Sequence, residues 1–160
     1  MQPRAAVRKA LVSCGAGTDH LPPGAGSALQ DIIDAYLLQC EAIGSAGGRI
    51  VLMASRALDA IARHAEDYAL IDARVLKSVR QPVILHWLGP VFDPALAGYW
   101  GRTEIAAAAE NCLCVVHAHK KKIDGIKVSL LDAAIRHSNT WQTELLRNSL
   151  AGLPEFAICV

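Results

Sequence analysis

Short, almost uninterrupted apolar runs alternate with long helical runs along this chain, and that alternation limits the fold more than any other feature. Four runs, at residues 10–14, 49–54, 82–87 and 123–128, are rich in Val, Ile and Leu. None of them alternates apolar with polar residues, and such runs read as strands covered on both faces. Residues 27–44 carry Leu29, Ile32, Ile33, Tyr36, Leu37 and Cys40 at helical spacing, behind a capping Ser27 and ahead of Gly44. Residues 68–79 repeat the pattern. Residues 103–119 do so again, with Thr103 as the expected cap and an Ala-rich body of high helix propensity. The order is therefore βαβαβαβ. Strands joined by helical crossovers are parallel, with right-handed connections, so the class is α/β. Beyond Asp132 the pattern weakens: residues 133–150 read as a poorer helix, and 154–160 as a short strand or a frayed tail.

Composition narrows the function classes. The chain has 160 residues, 52% of them hydrophobic and 19% charged, with 16 Lys+Arg against 15 Asp+Glu. It reads as a single globular domain, and its balanced charge gives no electrostatic case for nucleic acid or an anionic membrane. Its apolar runs fall well short of the roughly 18 residues a membrane helix requires. Five cysteines at irregular spacing fit reduced thiols, and the basic N-terminus is a poor secretory signal, so a cytoplasmic location is expected.

In parallel α/β sheets function gathers at the C-terminal ends of the strands. Those ends read Cys14 to His20, Ala54-Ser55-Arg56, His86-Trp87-Leu88-Gly89 and Lys127-Val128-Ser129. A lysine in an apolar strand is costly to desolvate while charged. Lys127 is thus either a strand-end side chain that reaches solvent or an amine of lowered pKa, able to form a Schiff base with a carbonyl. His86 shares a face with Ile84 and is either a proton relay beside Lys127 or a histidine bonded to a nearby loop. Ser55, Arg56 and Ser129 are candidate substrate contacts, Arg56 through its planar fork for a carboxylate. Their alternative roles are capping and surface exposure. The long segment after His86, with its glycines and aromatics, is the kind of loop that walls a pocket.

Gly15-Ala16-Gly17 lacks the third glycine of a dinucleotide site. Cys112, Cys114, His117 and His119 do not converge on one ion at zinc spacing, so no metal and no other cofactor is expected.

The strings at 15–21 (GAGTDHL), 51–58 (VLMASRAL), 82–89 (PVILHWLG), 92–101 (FDPALAGYWG) and 124–132 (DGIKVSLLD) resemble a bacterial family. That family is grouped with the dihydrodipicolinate synthase and N-acetylneuraminate lyase superfamily of TIM barrels. The resemblance implies a class I aldolase-type lyase in which a lysine in a Gly-Ile-Lys context, here Lys127, forms a Schiff base with a 2-oxo acid such as pyruvate. The superfamily places a proton-shuttling tyrosine at the end of the fifth strand, where this chain has His86.

The mapping covers barrel strands three to six. It leaves the first, second, seventh and eighth without counterparts, and a full barrel takes about 250 residues. The expectation is a truncated partial barrel, residues 1–160, whose 133–160 segment is a divergent tail, weak or inactive alone. Such a chain would gain by pairing as a homo-oligomer, which would bury its open sheet edges. The alternatives are a small open flavodoxin-like sheet without catalysis and a nonfunctional gene fragment.

Overall fold

The computed structural model describes residues 12–21, 28–129 and 157–159. Strands β1 (Ser13–Ala16), β2 (Arg49–Met53), β3 (Val83–Leu88), β4 (Ile123–Ser129) and β5 (Ala157–Cys159) form one parallel sheet in the order β1-β2-β3-β4-β5. Helices α1 (Leu29–Ser45), α2 (Arg56–Ile61), α3 (Ala65–Ser78) and α4 (Ile105–Ala118) lie in the connections between β1 and β4.

Each strand neighbours the next in sequence. Crossovers of one hand that always step in the same direction place their helices on the same face of the sheet. This is the winding of an arc of a (β/α) barrel. A flavodoxin-like sheet reverses its order at a switch point, and no reversal occurs among the described strands, whose order is therefore not the flavodoxin-like one. The sheet is open among the described residues, with β1 and β5 as its edges. β5, pairing Lys127 with Cys159 in register, adds a strand beside β4 within 154–160, the stretch read as a short strand or a frayed tail, where the barrel mapping had left the seventh strand without a counterpart. The weak helix read at 133–150, the cap Ser27 and the first residues of the run at 10–14 lie outside the described residues.

One-sided winding also refines the reading of strands covered on both faces, since the two faces are not covered alike. Ala16, Ile50, Leu52, Val83, Leu85, Trp87, Ile126 and Val128 are buried. They pack in one core with Ile32, Ile33 and Tyr36 of α1, Tyr68, Ile71, Val75 and Leu76 of α3, and Cys112, Val115 and Val116 of α4. Each large aliphatic group buried there contributes about 1.5–3 kcal/mol relative to leaving it exposed. On the opposite face Arg49, Val51, Met53, Ile84 and Leu88 are only half-buried, and Lys127 is exposed. The apolar run cannot reveal this difference, because a residue that faces a helix layer and one that faces a barrel interior are both apolar.

Helix boundaries follow the side chains that satisfy the free N–H groups. The Ala28 N–H donates to Asp31 Oδ2 (2.7 Å) at the head of α1. Asp67 Oδ2 accepts from Arg63 N (2.7 Å) and His64 N (3.1 Å), so α3 starts before Tyr68. Glu104, not Thr103, caps α4, accepting from Ala106 N (2.9 Å) and Ala107 N (2.7 Å). The short α2 escapes a periodicity reading because six residues hold less than two turns.

The loop after β3 is ordered by its aromatics. Tyr68 and Tyr99 meet edge to face at 4.9 Å, and Trp100, 5.4 Å from Tyr99, is buried against them. Trp100 has φ +69°, and Asn111 Nδ2 donates to its carbonyl at 2.8 Å. The next residue, Gly101 (φ +74°), lies where a Cβ would come 2.9 Å from Ala65 N. Tyr99 and Trp100 thus anchor the loop in the helix layer, and Val91 and Phe92 remain exposed.

Candidate functional site

Parallel register brings the two sequence-predicted catalytic residues together. His86 pairs with Lys127, Met53 pairs with His86, and Leu88 pairs with Ser129. Adjacent strands run about 4.8 Å apart and side chains in register share a face. Met53, His86, Lys127 and, one step up, Ser129 therefore occupy the face opposite the core, toward the C-terminal ends of the strands.

His86 is 8% exposed. Its Nδ1 lies 3.2 Å from Met53 Sδ and its Nε2 3.1 Å from Ser129 Oγ. Burial, and then the positive charge of Lys127, hold its pKa below the ordinary imidazole value. The imidazole is therefore neutral near pH 7. Lys127 is exposed, so the desolvated amine considered from the sequence is not what the geometry contains. At the other end of the same face Arg49 crosses β3 to pair with Asp124 of β4.

The remaining candidates are placed differently. Ser55 is fully buried, and its Oγ accepts from Leu58 N (3.0 Å) as the cap of α2. The same hydroxyl bonds Thr18 Oγ1 at 2.6 Å, and the Ser55 N–H donates to Tyr99 Oη at 3.3 Å. This hydroxyl is held by the fold and does not reach the open face. Arg56 is exposed; its Nε donates to Asp93, and Nη1 lies 3.7 Å from Asp19 Oδ1. It thereby ties together the loops that follow β1, β2 and β3.

Three features escape a reading of the sequence. Gly15 and Gly17 alternate with buried Ala16 and Thr18, so they face the open side, where a Cβ at Gly15 would come 3.1 Å from Met53 Cγ. The glycines make room for Met53, whose carbonyl accepts from Tyr36 Oη at 2.5 Å. Strand alternation between Val51 and Met53 is the only signal that could have pointed to that methionine. Behind the sheet, Asp72 of α3 acts electrostatically on Tyr36, Tyr99 and Cys112. The residue is part-exposed, yet burial of its carboxyl pushes its pKa up to about 7. It makes no hydrogen bond among the described residues. Its place one turn after Tyr68 and one before Leu76, within an apolar stripe, was a readable signal.

Cys112 is buried in the core while Cys114, on the same helix, is exposed. Among the described residues no three His, Cys, Asp or Glu side chains gather as metal ligands. No helix among them is long and apolar enough to cross a membrane.

Fold and site define a sequentially wound parallel α/β sheet with a His–Lys pair on its open face. A family model described as "Protein of unknown function (DUF993)" matches residues 2–145, and the chain belongs to that family. The match continues past Asp132, where the string resemblance ends. A search of curated proteins found no match.

Proposed function

We propose that the chain is a dihydrodipicolinate synthase-like Schiff-base lyase or aldolase acting on a 2-oxo acid, with Lys127 as nucleophile and His86 as acid and base. The observation that carries this reading is the in-register placement of His86 beside Lys127 on the open face of the sheet. The Lys127 ammonium gives a proton to neutral His86, the amine so formed attacks the 2-oxo carbon, and the proton returns to the carbinolamine hydroxyl, which leaves as water to give an iminium. In the cleavage direction His86 takes the proton of a substrate hydroxyl. The electrons of the breaking carbon–carbon bond then pass into the iminium, releasing an aldehyde and leaving an enamine. The proton returns to the enamine carbon, and water hydrolyses the iminium to free the amine. A neutral imidazole suits the first proton transfer, and burial beside a cation keeps His86 neutral. Ser129, bonded to His86, is a proposed substrate contact, and Arg56 is a second one that would exchange its Asp93 and Asp19 partners for a substrate carboxylate.

Exposure of Lys127 favours a second reading, a non-catalytic α/β module, because an exposed lysine on a strand needs no chemical role. Among the described residues β1 and β5 are the edges of the sheet, which suits pairing with a second copy. The location that goes with the reading is cytoplasmic.

Borohydride reduction with pyruvate and a panel of 2-oxo acids, followed by peptide mass spectrometry, separates the two readings. Lys127→Ala serves as the control, and circular dichroism verifies folding. A reduced adduct confined to Lys127 is expected. A folded protein without an adduct, or with adducts spread over surface lysines, overturns the catalytic reading.

A further inference from the structure

We infer that Met53 is a positioning residue that fixes the tautomer of His86, with Gly15 as the gap that lets its sulfur reach the ring. The inference rests on the reading of His86 as the acid and base, and it says which nitrogen does that work. A thioether sulfur has lone pairs and no proton, so it can only accept. Its 3.2 Å approach to Nδ1 is a hydrogen bond only if Nδ1 carries the proton. A neutral imidazole has one N–H, so Nε2 is then bare and accepts from the Ser129 hydroxyl, 3.1 Å away.

The opposite tautomer would let Nε2–H donate to Ser129 Oγ. It would also set the Nδ1 lone pair against the sulfur lone pairs in a site where His86 is 8% exposed and water cannot easily intervene. The ring is therefore held with its basic nitrogen toward Ser129, one register step beyond Lys127 toward the C-terminal ends of the strands. Gly15 completes the arrangement, because a Cβ there would come 3.1 Å from Met53 Cγ and 3.2 Å from Sδ. That crowding would make the thioether give way by a few tenths of an ångström and disturb its contact with the ring.

The test reads the ring directly. Two-bond 15N–1H correlation spectra of the full-length labelled protein, recorded where imidazole is uncharged, report which nitrogen of each histidine is protonated, and His86→Gln assigns the signal. In the wild type His86 is expected as the Nδ1–H form. Met53→Leu conserves volume and should fold. It removes the acceptor and is expected to move the tautomer ratio roughly three- to tenfold toward Nε2–H, the range set by one net hydrogen bond. Gly15→Ala, which keeps the sulfur but displaces it, is expected to move the ratio the same way. A wild-type His86 protonated at Nε2, or an unchanged ratio in folded Met53→Leu, overturns the inference. The outcome is independent of Schiff-base chemistry. A failed borohydride trap alongside an Nδ1–H His86 would sink the proposed function and leave the role of Met53 standing.

Discussion

Replacing Ser55 by alanine tests whether this residue holds the fold together or serves the open face. Its Oγ accepts from Leu58 N at 3.0 Å and shares a 2.6 Å hydrogen bond with Thr18 Oγ1, and both Ser55 and Thr18 are buried. Loss of an N-cap costs about 0.5–2 kcal/mol. The stranded Thr18 hydroxyl, 2% exposed, adds about 1–3 kcal/mol because water cannot replace its partner. These effects share one hydroxyl and are not independent, so the expected destabilisation is about 2–4 kcal/mol. Urea unfolding followed by circular dichroism reads this as a midpoint lowered by about 1–2 M at an unchanged slope. A second variant apportions the loss. Thr18→Val on the Ser55→Ala background removes the stranded hydroxyl at nearly equal volume and should recover part of the stability, leaving the cost of the cap. Under conditions where Ser55→Ala is folded, its capacity for a borohydride adduct at Lys127 should match the wild type. A loss below about 0.5 kcal/mol, the range of ordinary surface substitutions, would refute the buried-network account.

Asp72 carries a pH signature. Its pKa is raised from 3.8 to about 7 in the folded state, so that state binds the proton more tightly and stability falls as pH rises between those values, by at most about 4 kcal/mol. Asp72→Asn should flatten that part of the profile in urea melts from acid to neutral pH, and parallel profiles would sink the assignment. Lys127→Met removes the charge that adds to burial in lowering the pKa of His86, so NMR titration should find that pKa higher, yet still below the ordinary value because burial remains. An unmoved titration would mean that the two side chains do not interact. Gly101→Ala places a side chain at φ +74° with its Cβ 2.9 Å from Ala65 N, and should lower stability by more than about 1–2 kcal/mol in a thermal melt. A neutral result would show that the loop gives way without strain.

Local periodicity determined what this sequence could reveal alone. The apolar runs around Ile50, Leu85 and Ile126 mark strands, the spacing of Ile32, Ile33, Tyr36 and Cys40 marks a helix, and the alternation of the two dictates parallel pairing. Strand alternation was also enough to set His86 on one face, and the likeness of the Gly-Ile-Lys string pointed to Lys127.

What the sequence could not supply depends on residues far apart in the chain. The strand order gives the sheet a core face and an open face, and so decides between the two readings its apolar strand left for Lys127, leaving the side chain exposed. Ser55, whose capping role is local and readable, is fixed in the core because Thr18 and Tyr99 come to it from other connections. Met53 meets His86 because two strands pair in register and β1 offers glycine at the same level. Asp72 acquires its high pKa because packing of α3 buries its carboxyl, and from there it acts on Tyr36, Tyr99 and Cys112. Hydrophobic spacing encodes which face of each element is turned inward. Which groups then meet, and what water is excluded from them, is decided only when those faces close on one another.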